Sequence, residues 1–74
     1  MSQLSKEVLE MIEQDEKLIF AIAQGMNKAF RSVERWIKNS RKYSKILTSK
    51  AVVLIIEKET GLTEDQIVEE TVPA

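Results

Sequence analysis

The sequence predicts an all-α fold in one small domain spanning residues 1–74. Three observations predict it. Apolar residues recur at helical spacing along most of the chain. Residues that start helices, Ser5, Asp15, Thr48 and Thr63, precede those stretches. Residues that stop helices, Asn27 and Gly61, follow two of them. At 74 residues the chain buries only roughly 60% of its unfolded surface, so a compact core or a partner has to supply stability.

Residues 1–3 are expected to fray. Ser5 then caps a first helix, with Val8, Leu9, Met11 and Ile12 at helical spacing and Glu7 in the favourable first turn. That helix fades near residues 14–16. Asp15 caps a second helix through Leu18, Ile19, Ile22, Ala23 and Met26, or the two helices join with only a kink. Gly25 is an odd place for flexibility, one turn from the helix end. At Asn27 the chain must stop and reverse, which demands positive φ, and asparagine follows glycine in tolerating it. A third helix is predicted over about residues 29–39.

Residues 40–45 are polar and basic without apolar periodicity and read as a loop. Ile46 or Leu47 turns the chain back into the core. Thr48 caps a fourth helix through Val52, Val53, Ile55 and Ile56, ending at Thr60 and Gly61. The β-branched run at residues 52–56 also suits a strand, but the stop and start signals around it favour helix. Thr63, with Gln66 three residues on, is a capping box for a short fifth helix carrying Ile67 and Val68, and Leu62 before it is placed to staple on Ile67. Pro73 and Ala74 read as tail. No internal repeat or low-complexity segment is present.

Composition narrows the function classes. The sequence has neither cysteine nor histidine, so disulfides and thiolate metal sites are absent, and the commonest general base and zinc ligand are missing. No metal or other cofactor is expected. No apolar run approaches the roughly 18 residues of a membrane span, and the early acids Glu7, Glu10 and Glu13 do not fit a secretory signal. The expectation is a soluble cytoplasmic protein.

The net charge of −1 conceals a strong segregation. Residues 1–27 hold two lysines against five acids, and residues 51–74 hold one lysine against six. Residues 28–50 hold eight lysines and arginines against Glu34 alone, a local net charge of +7. A solvated charge run is the plainer account, but eight charges of one sign in so short a stretch shift the balance towards binding a polyanion. The third helix carries that pattern. At about 100° per residue, Ala29, Val33, Trp36, Ile37 and Ser40 fall on one side. Arg31, Arg35 and Lys38 fall on the other, with Glu34 at their edge. Val33 and Trp36 go to the core, and the arginines face out.

The spacing Ala23, Asn27, Val33, Trp36 is similar to that of a helix-turn-helix, in which the alanine packs where two helices cross and the later apolar residues anchor the recognition helix. The motif covers about residues 18–39. With LTSKAVVLIIEKETGLTEDQIVEE as the closing segment, residues 5–70 resemble the five-helix DNA-binding domain of the lambda repressor and Cro superfamily. Asn27 stands where that family usually has glycine. Leu18 and Ile19 stand where it often has a polar residue for a phosphate contact, for which Lys17 is the substitute.

The resemblance implies a compact five-helix fold and sequence-specific binding of double-stranded DNA. It implies a small bacterial or phage-encoded, nucleoid-associated transcriptional regulator that binds as a homodimer on two half-sites about one helical turn apart. The base-contacting candidates are Arg31 and Arg35, whose guanidinium forks fit the guanine O6 and N7 acceptors. Phe30 is a third, meeting a thymine methyl or else sealing the helix pair. Glu34 suits cytosine N4 or an intrahelical partner such as Lys38. The phosphate-contacting candidates are Lys17, Lys28, Lys38, Asn39, Arg41, Lys42, Tyr43 and Lys45. Trp36 and the methionine and aliphatic positions are assigned to the core. The dimer surface is sought in the acidic last helix and around Val53, Leu54 and Val68. The competing function is a helical protein-interaction module, such as an antitoxin or a phage accessory factor, whose basic face meets an acidic protein. Catalysis is not expected, because carboxylates and lysines alone would have to supply it in a chain with little room for a cleft.

Overall fold

Asp15 separates the first two helices. Its backbone is extended, at φ −124° and ψ 100°, and its side chain accepts from the Lys17 amide. The kinked single helix is thereby ruled out. The computed structural model describes residues 2–70, so the expected tail at Pro73 and Ala74 lies outside the described residues. In chain order the elements are β1 (Ser2–Leu4), α1 (Lys6–Gln14), α2 (Glu16–Met26), α3 (Phe30–Lys38), α4 (Ser44–Leu47), α5 (Lys50–Thr60), α6 (Glu64–Ile67) and β2 (Val68–Glu70).

The fold is mostly helical, as expected, but not all-α. Residues 2 and 3 belong to a strand rather than a frayed end. β1 pairs antiparallel with β2, matching Ser2 with Glu70, Gln3 with Glu69 and Leu4 with Val68. The Ser5 amide extends the ribbon by donating to the Ile67 carbonyl at 2.7 Å, and Leu4 is buried at 1% exposure. Val68 therefore opens a strand instead of extending the last helix. The ribbon was hidden because three-residue strands show no period and the two partners lie at opposite ends of the sequence.

The predicted loop at 40–45 also needs correction. Its end is the first half of α4, a single turn that sends Leu47 inward, at 1% exposure, beneath β1. That turn consumes Thr48, whose hydroxyl donates to the Ser44 carbonyl at 2.7 Å. Ser49 takes the cap position of α5 in its place, without a side-chain cap bond, and its buried Oγ has no hydrogen-bond partner among the described residues. The remaining start and stop signals act as expected. Ser5 Oγ accepts from the Val8 amide, Gly61 stops α5 at φ 77°, and Thr63 and Gln66 form the reciprocal capping box.

The core draws Val8 and Ile12 from α1, Leu18, Ile19, Ile22 and Ala23 from α2, and Val33, Trp36 and Ile37 from α3. Val52, Val53 and Ile56 from α5 and Ile67 from α6 complete it with Leu4 and Leu47. Helix α2 is the centre, packed against α1, α3 and α5. Gly25 serves that packing. A Cβ there would overlap Ile55 Cδ1 of α5, so the residue marks a close approach of two helices, not a flexible point. Met11, expected in the core, is exposed, and of Ile46 and Leu47 it is Leu47 that turns inward; Leu54 is exposed as expected, whereas Val53, expected at the surface with it, is buried.

Candidate nucleic-acid interface

The unit that positions the basic side chains is α2, a three-residue turn and α3. At the end of α2, Asn27 adopts φ 54° and ψ 47°, the left-handed conformation expected of it. The Lys28 amide reaches back to the Ala23 carbonyl at 2.8 Å, and the Asn27 amide donates to the same carbonyl, so the two amides close the end of α2. Ala29 returns to extended backbone and starts α3, with its carbonyl accepting from the Ser32 and Val33 amides. Ala23 is buried near the reversal, where a larger side chain would hold the helices apart.

Helix α3 is split into two faces. Val33 is fully buried, Ile37 is 4% exposed and Trp36 is 8% exposed, while Arg31, Arg35 and Lys38 are exposed. Trp36 is thus part of the core. No side chain caps the N-terminus of α3 and no acid lies in its first turn. Its first amides and the macrodipole therefore add to the positive potential there. Arg35 and Lys38 also lie in the last turn of α3, where cations offset the negative end of that dipole.

The other candidates divide by position. Lys17 is exposed in the first turn of α2, Lys28 in the turn before α3, and Lys45 on α4. Lys38, Asn39, Ser40, Arg41 and Lys42 surround one open depression of about 400 Å³ just past α3. Asn39 has a local task as well, since its Nδ2 donates to the Arg35 carbonyl at 3.2 Å and its backbone amide donates to the same oxygen at 3.0 Å. Tyr43 is half-buried, with its ring centroid 6.4 Å from that of Trp36 and the Lys42 ammonium 5.8 Å from its own centroid. Glu34 and Lys38 share a second depression with Glu13, Ile19 and Ile37, so Glu34 sits on the flank of α3 towards α1 and α2. Phe30 is half-buried and joins the helix pair.

One residue at this surface was missed. Phe20 of α2 is 59% exposed, and its ring centroid is 4.7 Å from that of Phe30, at an interplanar angle of 48°. The signal was present in the sequence. Leu18, Ile19, Ile22, Ala23 and Met26 form the inward stripe of α2, and Phe20 stands off it.

Among the described residues no group of three or more His, Cys, Asp or Glu side chains could hold a metal ion, and no helix is long and apolar enough to cross a membrane. Comparison with family models, with curated proteins and with solved structures found no match.

Proposed function

We propose that this chain binds double-stranded DNA sequence-specifically through a helix-turn-helix, with α3 as the recognition helix, and acts in the cytoplasm as a small transcriptional regulator. One observation carries this reading. The left-handed Asn27 reverses the chain so that α3 buries Val33, Trp36 and Ile37 and turns Arg31 and Arg35 to solvent. A helix anchored on one face and cationic on the other is what the major groove admits. Arg31 and Arg35 read base edges beside Phe30. Lys17, Lys28, Lys38, Asn39, Arg41, Lys42, Tyr43 and Lys45 are the phosphate contacts, which set position without reading sequence.

In this reading α1, α2, α3, α5 and α6 correspond to the five helices of a lambda repressor-like domain, and α4 and the terminal ribbon are additions. The protein binds as a homodimer, because one recognition helix covers too few base pairs to specify a site. Its role is binding and not catalysis.

The test is selection of bound fragments from a random double-stranded pool, followed by mobility shifts with Arg31→Ala and Arg35→Ala. The expected result is a preferred site with inverted symmetry. Each variant should lose about 1–3 kcal/mol of discrimination at one base position while binding to bulk DNA falls less. Variants that bind the preferred site as the wild type does would overturn the proposal. In that case the second reading gains, a helical interaction module, towards which the 52%-exposed Leu54 on α5 points.

A further inference from the structure

The aromatic pair of exposed Phe20 and half-buried Phe30 offers a specificity of a kind that arginines cannot supply. It rests on the reading of α3 as a DNA-contacting helix. Phe30 is the first residue of α3 and precedes Arg31, and its ring lies against Phe20 of α2. Lys17 precedes Phe20 by three residues in α2, so the two share a helix face. The patch is therefore an apolar surface made by two helices, each of which carries an exposed cation close in sequence: Lys17 one turn before Phe20 on α2, and Arg31 next to Phe30 on α3.

That framing selects the occupant. A second copy seated on the same patch about a two-fold axis would set Lys17 of each copy against Arg31 of the other, with like charges opposed across an apolar contact. A polyanion with apolar groups on its surface meets both demands. Phenyl rings offer phosphates no hydrogen bond, and the apolar group that a DNA base edge presents in the major groove is the 5-methyl of thymine.

We propose that Phe20 and Phe30 together form a thymine-methyl contact, which makes Phe20 a specificity-determining residue contributed by α2. The contact between the rings limits the freedom of Phe30 before DNA arrives, so less is lost when it docks. The preferred site then carries thymine next to the base that Arg31 reads.

The probe is the selected double-stranded site, resynthesised with deoxyuridine in place of thymidine one position at a time. This removes the methyl and leaves base pairing intact. Wild-type affinity should fall about fourfold at one position per half-site, the worth of one buried methyl. Phe20→Ala should bring the thymine-to-uracil ratio at that position close to one. Arg31→Ala should keep the ratio while weakening binding overall. Circular dichroism checks the fold of each variant, and Phe20→Leu, which retains an apolar side chain, should keep part of the ratio.

Equal affinity for thymine and uracil at every position, with a preferred site still found, overturns this inference and leaves the DNA-reading function standing. A Phe20→Ala protein that changes oligomeric state but not the ratio overturns it in favour of a contact between copies. Tighter binding of the single strand than of the duplex overturns it in favour of base stacking on the rings. Absence of any preferred site removes both proposals together.

Discussion

Asn27 fixes the direction in which α3 leaves α2, and a single torsion does it. At φ 54° a β-carbon crowds the following carbonyl. Asparagine tolerates this better than most residues because its short amide bonds locally, and glycine tolerates it best. Asn27→Ala should therefore destabilise the domain by about 1–2 kcal/mol, while Asn27→Gly should stay within a few tenths of the wild type. Urea unfolding followed by circular dichroism measures both. If the alanine variant is as stable as the wild type, the reversal does not depend on that torsion. Thr48 is a residue whose role the sequence could not reveal. A threonine ahead of an apolar run looks like a cap, but its hydroxyl can equally bond four residues back, as it does to Ser44. The four-residue α4 that makes this choice is too short to leave a pattern.

At the scale of elements, the long helices were legible and the short pieces were not. α1, α2, α3 and α5 each repeat an apolar stripe over at least two turns, and their boundaries fall close to the expected caps. Gly25 shows where such reading stops. A glycine inside a helix announces either looseness or closeness, and only Ile55 on α5 decides between them. The ribbon β1–β2 was illegible for a related reason. Each strand is too short to alternate, and what orders it lies elsewhere in the chain, with Leu47 beneath and Val68 opposite Leu4. Leu4 is the anchor of that element. Leu4→Ala should cost about 2–5 kcal/mol, a large fraction of the stability of a domain this small. Chemical denaturation would show it as a lower midpoint at unchanged slope. A change below about 0.5 kcal/mol would mean that the ribbon contributes nothing to the core.

For the whole molecule, the segregation of charge matters more than its sum. The cations behind the +7 of residues 28–50 run from the turn before α3, along α3 and the segment after it, to Lys45 on α4 and Lys50 at the start of α5, and the acids are concentrated in the flanking segments. If about five of the exposed cations neutralise phosphates, the logarithm of the binding constant should fall with the logarithm of salt concentration at a slope of about −4 to −5. Fluorescence anisotropy across a salt series measures it, and a slope near zero would leave the basic face without a polyanion. The candidate surface was legible to the extent that it sits on α3 and the adjoining turn. The exposure of Phe20 was legible from its place off the inward stripe of α2, but its place beside Phe30 was not, because the two lie on different helices and only the fold brings the rings together.

The pairing of Ser2 with Glu70 also carries a cost in chain entropy. β1 and β2 lie at opposite ends of the described elements, so their pairing closes the longest loop among them. Helices α2 and α3 are neighbours in sequence and close no such loop, and contacts near along the chain form cheaply. The turn between α2 and α3 therefore closes at less entropic cost than the joining of the two strands that covers Leu4.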